Sequence, residues 1–180
     1  MEEFKISNLI YGRPEYIESE KEKNCYDILD KLNIDYQRVE YNFFPNDIEN
    51  LKLIDKTLNV NGIKNLIFKN KNKTQFYFII ISRDSRFDEK SFRNKFELSK
   101  ISMAKKEDLE ELLKTHSGAV SVMELINDEK NIIKVFIEEK ILKEEYFRFH
   151  PNENRSTVRI KTEDLKNKLM PYLKHDINIL

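Results

Sequence analysis

The sequence predicts an α+β fold, a central mixed, largely antiparallel sheet flanked by helices. Three observations carry that reading. Strand-like runs come as hairpins, residues 62–69 with 75–81 and residues 146–149 with 157–160, rather than in regular strand-helix-strand alternation. Helical stretches open on capping residues and carry one apolar stripe. The run from Gly62 to Lys69 is apolar on both faces, as an interior strand covered on two sides would be.

Taken in order, residues 1–14 form an N-terminal arm ending at Arg13-Pro14. Ser19 with Glu22 three positions on makes a capping box, and Cys25, Ile28, Leu29 and Leu32 follow at helical spacing. Residues 35–41 alternate as a half-buried strand. Pro45-Asn46-Asp47 opens a second helix with Ile48, Leu51, Ile54 or Asp55, and Leu58 inward. It stops before Gly62, where the central hairpin begins, its turn being Asn70-Lys71-Asn72-Lys73-Thr74. Lys69, Lys71 and Lys73 read as solvated turn lysines.

A charged loop at residues 83–86 leads to a short helix with Phe92 and Phe96, a brief strand at 99–103, and a helix at 105–115 with Leu109, Leu112 and Leu113 on one side. After Gly118-Ala119-Val120-Ser121 come Leu125-Ile126-Asn127-Asp128, a turn, and a strand at 132–137. The second hairpin brackets His150-Pro151-Asn152-Glu153-Asn154. Thr162 caps a last helix carrying Leu165, Leu169, Tyr172 and Leu173, and residues 174–180 read as a loosely held tail.

Composition narrows the function classes. With 180 residues, the chain suits one domain spanning 1–180. Lys+Arg and Asp+Glu both number 32, so no net charge draws the whole molecule to nucleic acid or an anionic membrane. A single cysteine, Cys25, excludes an internal disulfide and fits a reducing compartment. No apolar run is long enough to span a bilayer, and the acidic start does not resemble a secretory signal. The expectation is a cytoplasmic protein with no membrane partner.

The three histidines, His116, His150 and His175, are dispersed, so no metal site and no cofactor are expected. Glycine-rich phosphate loops and a nucleophile elbow are absent. Cys25 sits on an apolar stripe without a cationic neighbour and reads as core. Three stretches stand out, each with two readings. Lys64 and Asn65 head the central strand on opposite faces: either they snorkel and bond to a loop, or they serve a site. Gly118 to Ser121 either cap a helix or present backbone N–H groups at close quarters. His150 is either satisfied within its hairpin or poised beside a rigid turn.

Together these stretches resemble the prolyl-tRNA synthetase-associated editing domain, the YbaK/ProX superfamily. The marks run from Tyr26-Asp27-Ile28-Leu29-Asp30-Lys31-Leu32 through Lys64-Asn65-Leu66, Gly118-Ala119-Val120-Ser121 and Leu125-Ile126-Asn127-Asp128 to Phe149-His150-Pro151-Asn152-Glu153-Asn154 and Ser156-Thr157-Val158. Val122 departs from the pattern, in which proline follows the Gly-x-Val-Ser run. The resemblance implies a trans-editing hydrolase that cleaves the ester of mischarged aminoacyl-tRNA, alanyl-tRNA(Pro) in the branch most similar to this chain. The alternatives are a silent tRNA-binding or synthetase-associated module, or an editor of serine or cysteine.

The resemblance also implies the site residues. Lys64 is the catalytic residue, acting on the substrate's carbonyl oxygen or terminal phosphate. Asn65, Gly118, Ala119, Val120, Ser121, His150 and Asn152 bind substrate, His150 contacting the terminal adenosine or ribose. The implied partners are the acceptor end of the tRNA and prolyl-tRNA synthetase. Such an activated ester needs positioning and charge stabilisation more than a strong nucleophile.

Overall fold

The computed structural model describes residues 3–45, 47–152 and 155–180. Asn46, Glu153 and Asn154 of the stretches above, and the first two residues, lie outside the described residues. The central hairpin is as predicted: β3 (Ile63–Asn70) pairs antiparallel with β4 (Phe76–Ser82), Ile63 opposite Ser82 and Lys69 opposite Phe76. The Asn70 carboxamide closes the turn by accepting the Thr74 N–H at 3.0 Å.

Around that hairpin the described residues form two sheets. The remaining strands are β1 (Ile10–Tyr11), β2 (Tyr36–Glu40), β5 (Ile101–Met103), β6 (Ile133–Ile137), β7 (Tyr146–Phe149), β8 (Ser156–Lys161) and β9 (Ile177–Ile179). A four-stranded antiparallel sheet runs β1-β2-β8-β7. A five-stranded sheet runs β5-β3-β4-β6-β9, with β4-β6 and β6-β9 parallel. The predicted mixed sheet is thus divided between two layers.

Side-chain alternation assigns the layers. Phe78 and Ile80 of β4 face Tyr36, Phe147, Phe149, Val158 and Ile160 of the other sheet in the main core, while Tyr77, Ile79 and Ile81 point outward beneath Phe92. Phe92 belongs to α3 (Glu89–Lys95). Phe78 and Phe147 are almost wholly buried, each worth about 1.5–3 kcal/mol. The main core is closed by α1 (Glu20–Lys31), α4 (Lys106–Leu113) and the last helix. Ser19 caps α1, accepting the Glu22 N–H at 3.1 Å.

On the far side of the four-stranded sheet, Ile54 and Leu58 of α2 (Ile48–Leu58) pack on Val39 and Tyr41. Asp47 caps this helix and Asn59 ends it in the left-handed region. Phe4, Ile6 and Leu9 of the arm join that cluster, so the described part of the arm is packed rather than trailing. A short helix α5 (Glu139–Leu142) follows β6. The last helix is α6 (Thr162–Asp164), a π turn (Leu165–Leu169) and α7 (Met170–Tyr172). Pro171 has no N–H for the carbonyl four residues back, and the wide turn precedes it.

Two expectations are corrected. The tail is not loose: β9 adds to the sheet edge, and buried His175 bonds through Nε2 to buried Asp128 at 3.1 Å. Lys69 is not a solvated turn lysine. It is buried and paired with Asp108, which also takes Lys73 at 2.8 Å. Those two cations hold the Asp108 carboxyl well below the usual carboxylate range despite its burial. No helix among the described residues is long and apolar enough to cross a membrane.

Candidate active site

Three stretches far apart in sequence converge at the head of β3. Asn65 points into the space between the sheets, and its Nδ2 donates to the Val120 carbonyl at 2.7 Å. Ser121, the next residue along, donates from Oγ to the His150 carbonyl at 2.8 Å. A strand, a loop and a hairpin turn are therefore joined by two hydrogen bonds that only the tertiary fold creates.

The loop has its own scaffold. α4 ends with Lys114 in the left-handed region, so Gly118 is not the helix cap. Gly118 instead makes the turn at φ +88, a conformation that glycine adopts freely and other residues rarely do, and it is exposed. Ala119 and Val120 are buried. Ser121 is fully buried: its N–H donates to Glu124 Oε2 at 2.5 Å, and its Oγ accepts the Met123 N–H at 3.3 Å. All its polar atoms are engaged within the protein. These bonds tie Ser121 to the turn that follows it and to the His150 hairpin.

Glu124 was not anticipated. It sits in the 3-10 turn Val122–Asn127, and Ser121 and Glu124 form a capping box there. Burial pushes its carboxyl up to about 8, outweighing the two backbone N–H groups that pull it down. The local signal was present, since Ser121-Val122-Met123-Glu124 is an S-x-x-E pattern.

His150 is part-buried at the end of β7. Its Nδ1 lies 3.3 Å from the Ser156 carbonyl across the hairpin. Because a carbonyl can only accept, Nδ1 carries the proton and Nε2 is left as an acceptor, without a partner among the described residues. Burial, with Arg148 close by, lowers its pKa to about 4, so the ring is neutral at physiological pH. Asn152 takes a positive φ of 63. Its Nδ2 reaches the Lys21 carbonyl of α1 at 3.5 Å, and its Oδ1 is buried without a partner.

Lys64 stands apart. Alternation sends it to the α3 face of the sheet, opposite to Asn65, where its ammonium donates to the Ser85 carbonyl at 2.6 Å. Its side chain thus leaves β3 on the face opposite to the junction of Asn65, Val120, Ser121 and His150. Ser85 is itself fixed, donating to Glu138 at 2.7 Å and accepting from Lys140 at 2.8 Å. Among the described residues no carboxylate pairs with Lys64, in contrast to Lys69. Cys25 is fully buried, which pushes its thiol pKa well up, as expected of a core residue.

Two open clefts, each of about 630–640 Å³, flank the arm. One shares Arg155 and Ser156 with the His150 hairpin and carries exposed Tyr11 and Tyr16 along its rim.

Comparison with known proteins bears on this arrangement. A family model described as the aminoacyl-tRNA editing domain matches residues 48–168. The prolyl-tRNA editing protein ProX of Acetoanaerobium sticklandii is 32% identical over 139 residues, covering 77% of this chain and 84% of that protein. A solved structure described as a candidate trans-editing enzyme for prolyl tRNA synthetase superposes with a TM-score of 0.64 at 15% identity, covering 91% of this chain and 98% of that one. The hypothetical protein APE2540 gives 0.63 at 13% identity, covering 88% and 97%. At those identities the two solved structures speak to the fold alone.

Proposed function

Because the chain belongs to the aminoacyl-tRNA editing domain family, and with it is an aminoacyl-tRNA deacylase, we propose that its substrate is alanine esterified to proline tRNA. The observation that carries this reading is the junction of Asn65, Val120, Ser121 and His150. It gathers groups suited to an aminoacyl-adenosine and contains no strong nucleophile. The unpaired Asn65 Oδ1 suits an ammonium, and the free His150 Nε2 suits a ribose hydroxyl.

An activated ester in such a site is cleaved by water held in place. The water oxygen bonds to the carbonyl carbon, the bond to the ribose oxygen breaks, and that oxygen takes a proton. A neighbouring ribose hydroxyl is well placed to relay the proton. Lys64 is assigned the terminal phosphate. Its resting acceptor is a neutral carbonyl, so exchange onto an anion gains a charge-assisted bond. Asn65 orients the aminoacyl group, Gly118, Ala119 and Val120 bound its pocket, and Asn152 supports the adenosine end.

Selectivity follows from size. A synthetase pocket shaped for proline rejects alanine only weakly, since each missing methylene is worth about 1–3 kcal/mol. A second site closed by buried Ala119 and Val120 admits the smaller residue and excludes the larger. The protein acts in the cytoplasm, in trans to prolyl-tRNA synthetase. Val122 in place of proline keeps serine or cysteine as a second candidate.

The test is a side-by-side assay of tRNA(Pro) charged with alanine, serine, cysteine or proline, in the presence of chelator. Alanine should be released fastest and proline retained. Equal release of alanine and proline removes the size argument. Binding without release of any amino acid favours the silent module.

A further inference from the structure

β3 is paired on one edge along its whole length and on the other only in part. The Gly62 carbonyl accepts the Arg83 N–H at 2.7 Å, and the Asn70 N–H donates to the Gln75 carbonyl at 3.1 Å. Both pairs belong to the β3-β4 register, so the even-numbered residues of β3 bond to β4. Hydrogen-bonded positions alternate in an antiparallel pair, so Ile63, Asn65, Ile67 and Lys69 direct their N–H and C=O groups to the opposite edge. There β5 receives them, Phe68 opposite Met103 and Lys69 opposite Ser102, and the Ala104 N–H reaches the Ile67 carbonyl at 2.8 Å.

The next odd position is Asn65, whose partner in that register would be Lys106. But Lys106 is the first residue of α4. Asp108 accepts the Lys105 N–H at 2.8 Å and turns the chain into the helix one pair too early to cover Asn65. Burial follows the pairing: Ile67, Phe68 and Lys69 are buried, while Ile63 to Leu66 are partly exposed. Among the described residues nothing accepts the Asn65 N–H.

The same residue bears a second unfilled group. Its Nδ2 is committed to Val120, and its Oδ1 is buried without a donor. Asn65 therefore offers a main-chain donor on an open edge beside a side-chain acceptor under the loop. An aminoacyl ester carries the complementary pair, a carbonyl acceptor and an ammonium donor on adjacent carbons.

We infer that the main-chain N–H of Asn65 is the donor that receives the ester carbonyl oxygen and stabilises the oxyanion formed when water attacks. The inference rests on the deacylase reading and on the placement of the aminoacyl group beside Asn65. As the water oxygen bonds to the carbonyl carbon, the C=O electron pair moves onto oxygen and meets this N–H. Collapse restores the carbonyl and expels the ribose oxygen, which takes the proton lost by water. A main-chain donor held by β4 on its other side needs no reorganisation during the reaction.

The experiment uses the full chain with Asn65 replaced by its α-hydroxy acid, so that an ester oxygen stands where the N–H was and the side chain is kept. The same exchange at Ile63 is the control: it removes another open-edge N–H and weakens a neighbouring strand carbonyl to the same degree. The Asn65 exchange should lower kcat by about 10²–10³-fold with KM little changed, and the Ile63 exchange should leave kcat close to wild type. A kcat within about threefold of wild type for the Asn65 exchange overturns the inference while leaving the deacylase reading intact. A wild-type chain that releases no amino acid from any charged tRNA overturns both.

A second measurement covers poor folding of the exchanged chain. Titrating the ¹⁵N-labelled wild type with 3′-alanylamino-3′-deoxyadenosine should move the Asn65 N–H downfield and slow its exchange. Movement of the Val120 and Ser121 amides with that of Asn65 unmoved overturns the inference.

Discussion

Glu124→Gln tests whether the carboxyl beneath the 118–121 loop is carried in its neutral form. The substitution keeps an oxygen able to accept the Ser121 N–H and removes the ionisation. In the folded chain burial holds the Glu124 carboxyl at about 8, against 4.5 for an ordinary glutamate. Between those two values the folded state binds a proton that the unfolded state has released, so wild-type stability must fall as pH rises. The stabilisation is complete below about 4.5 and lost by about 8. Each pH unit in the window is worth about 1.4 kcal/mol, so the whole window amounts to about 5 kcal/mol, of which about 3 kcal/mol has gone by pH 7. The Gln variant has no such slope at this position, and the difference between the two proteins cancels most other titrations. Denaturant unfolding of both chains from pH 5 to 8.5 measures it. A wild-type minus variant difference that stays flat within about 0.5 kcal/mol would refute the reasoning.

Three further outcomes are expected. Lys64→Ala should abolish deacylation yet cost about 1 kcal/mol or less in stability, because it removes one hydrogen bond at a partly exposed site; turnover that survives takes Lys64 out of the mechanism. Gly62→Ala should cost about 1–3 kcal/mol, since a Cβ there overlaps the Arg83 guanidinium that is locked to Asp55, and an unchanged thermal midpoint would contradict the packing. His150→Gln should remove an acid-side loss of stability. With the folded pKa at about 4 against 6.5, wild type loses up to about 3 kcal/mol as pH falls through that window, so parallel pH profiles for the two chains would count against a neutral, part-buried ring.

Much of the fold could be read locally. The S-x-x-E start of α1, the stripe of Cys25, Ile28 and Leu29, and the two-sided apolar run of the central hairpin all became the elements they suggested. The reason is that caps, turns and periodicity act over a few residues, where sequence and structure are nearly the same thing. Glu124 shows the limit of that rule. Its cap pattern is local, but its charge state depends on being enclosed by residues from elsewhere in the chain.

The candidate site divides in the same way. Alternation alone put Lys64 and Asn65 on opposite faces of one strand, and the family motifs pointed to the 118–121 loop and to His150. Which face lay against which loop was decided by the stacking of two sheets, and it placed Asn65 beside Val120 and turned Lys64 toward Ser85. The docking of Ile177–Ile179 on β6 and the His175–Asp128 contact had no local signature either. A three-residue segment such as Ile177-Asn178-Ile179 forms a strand only when a partner edge some forty residues away is already there to receive it. Short-range preferences set most elements of this protein, the strand Ile177–Ile179 excepted. Complementarity between surfaces distant in the chain decided which groups meet, and left the Asn65 N–H open where β5 ends too soon.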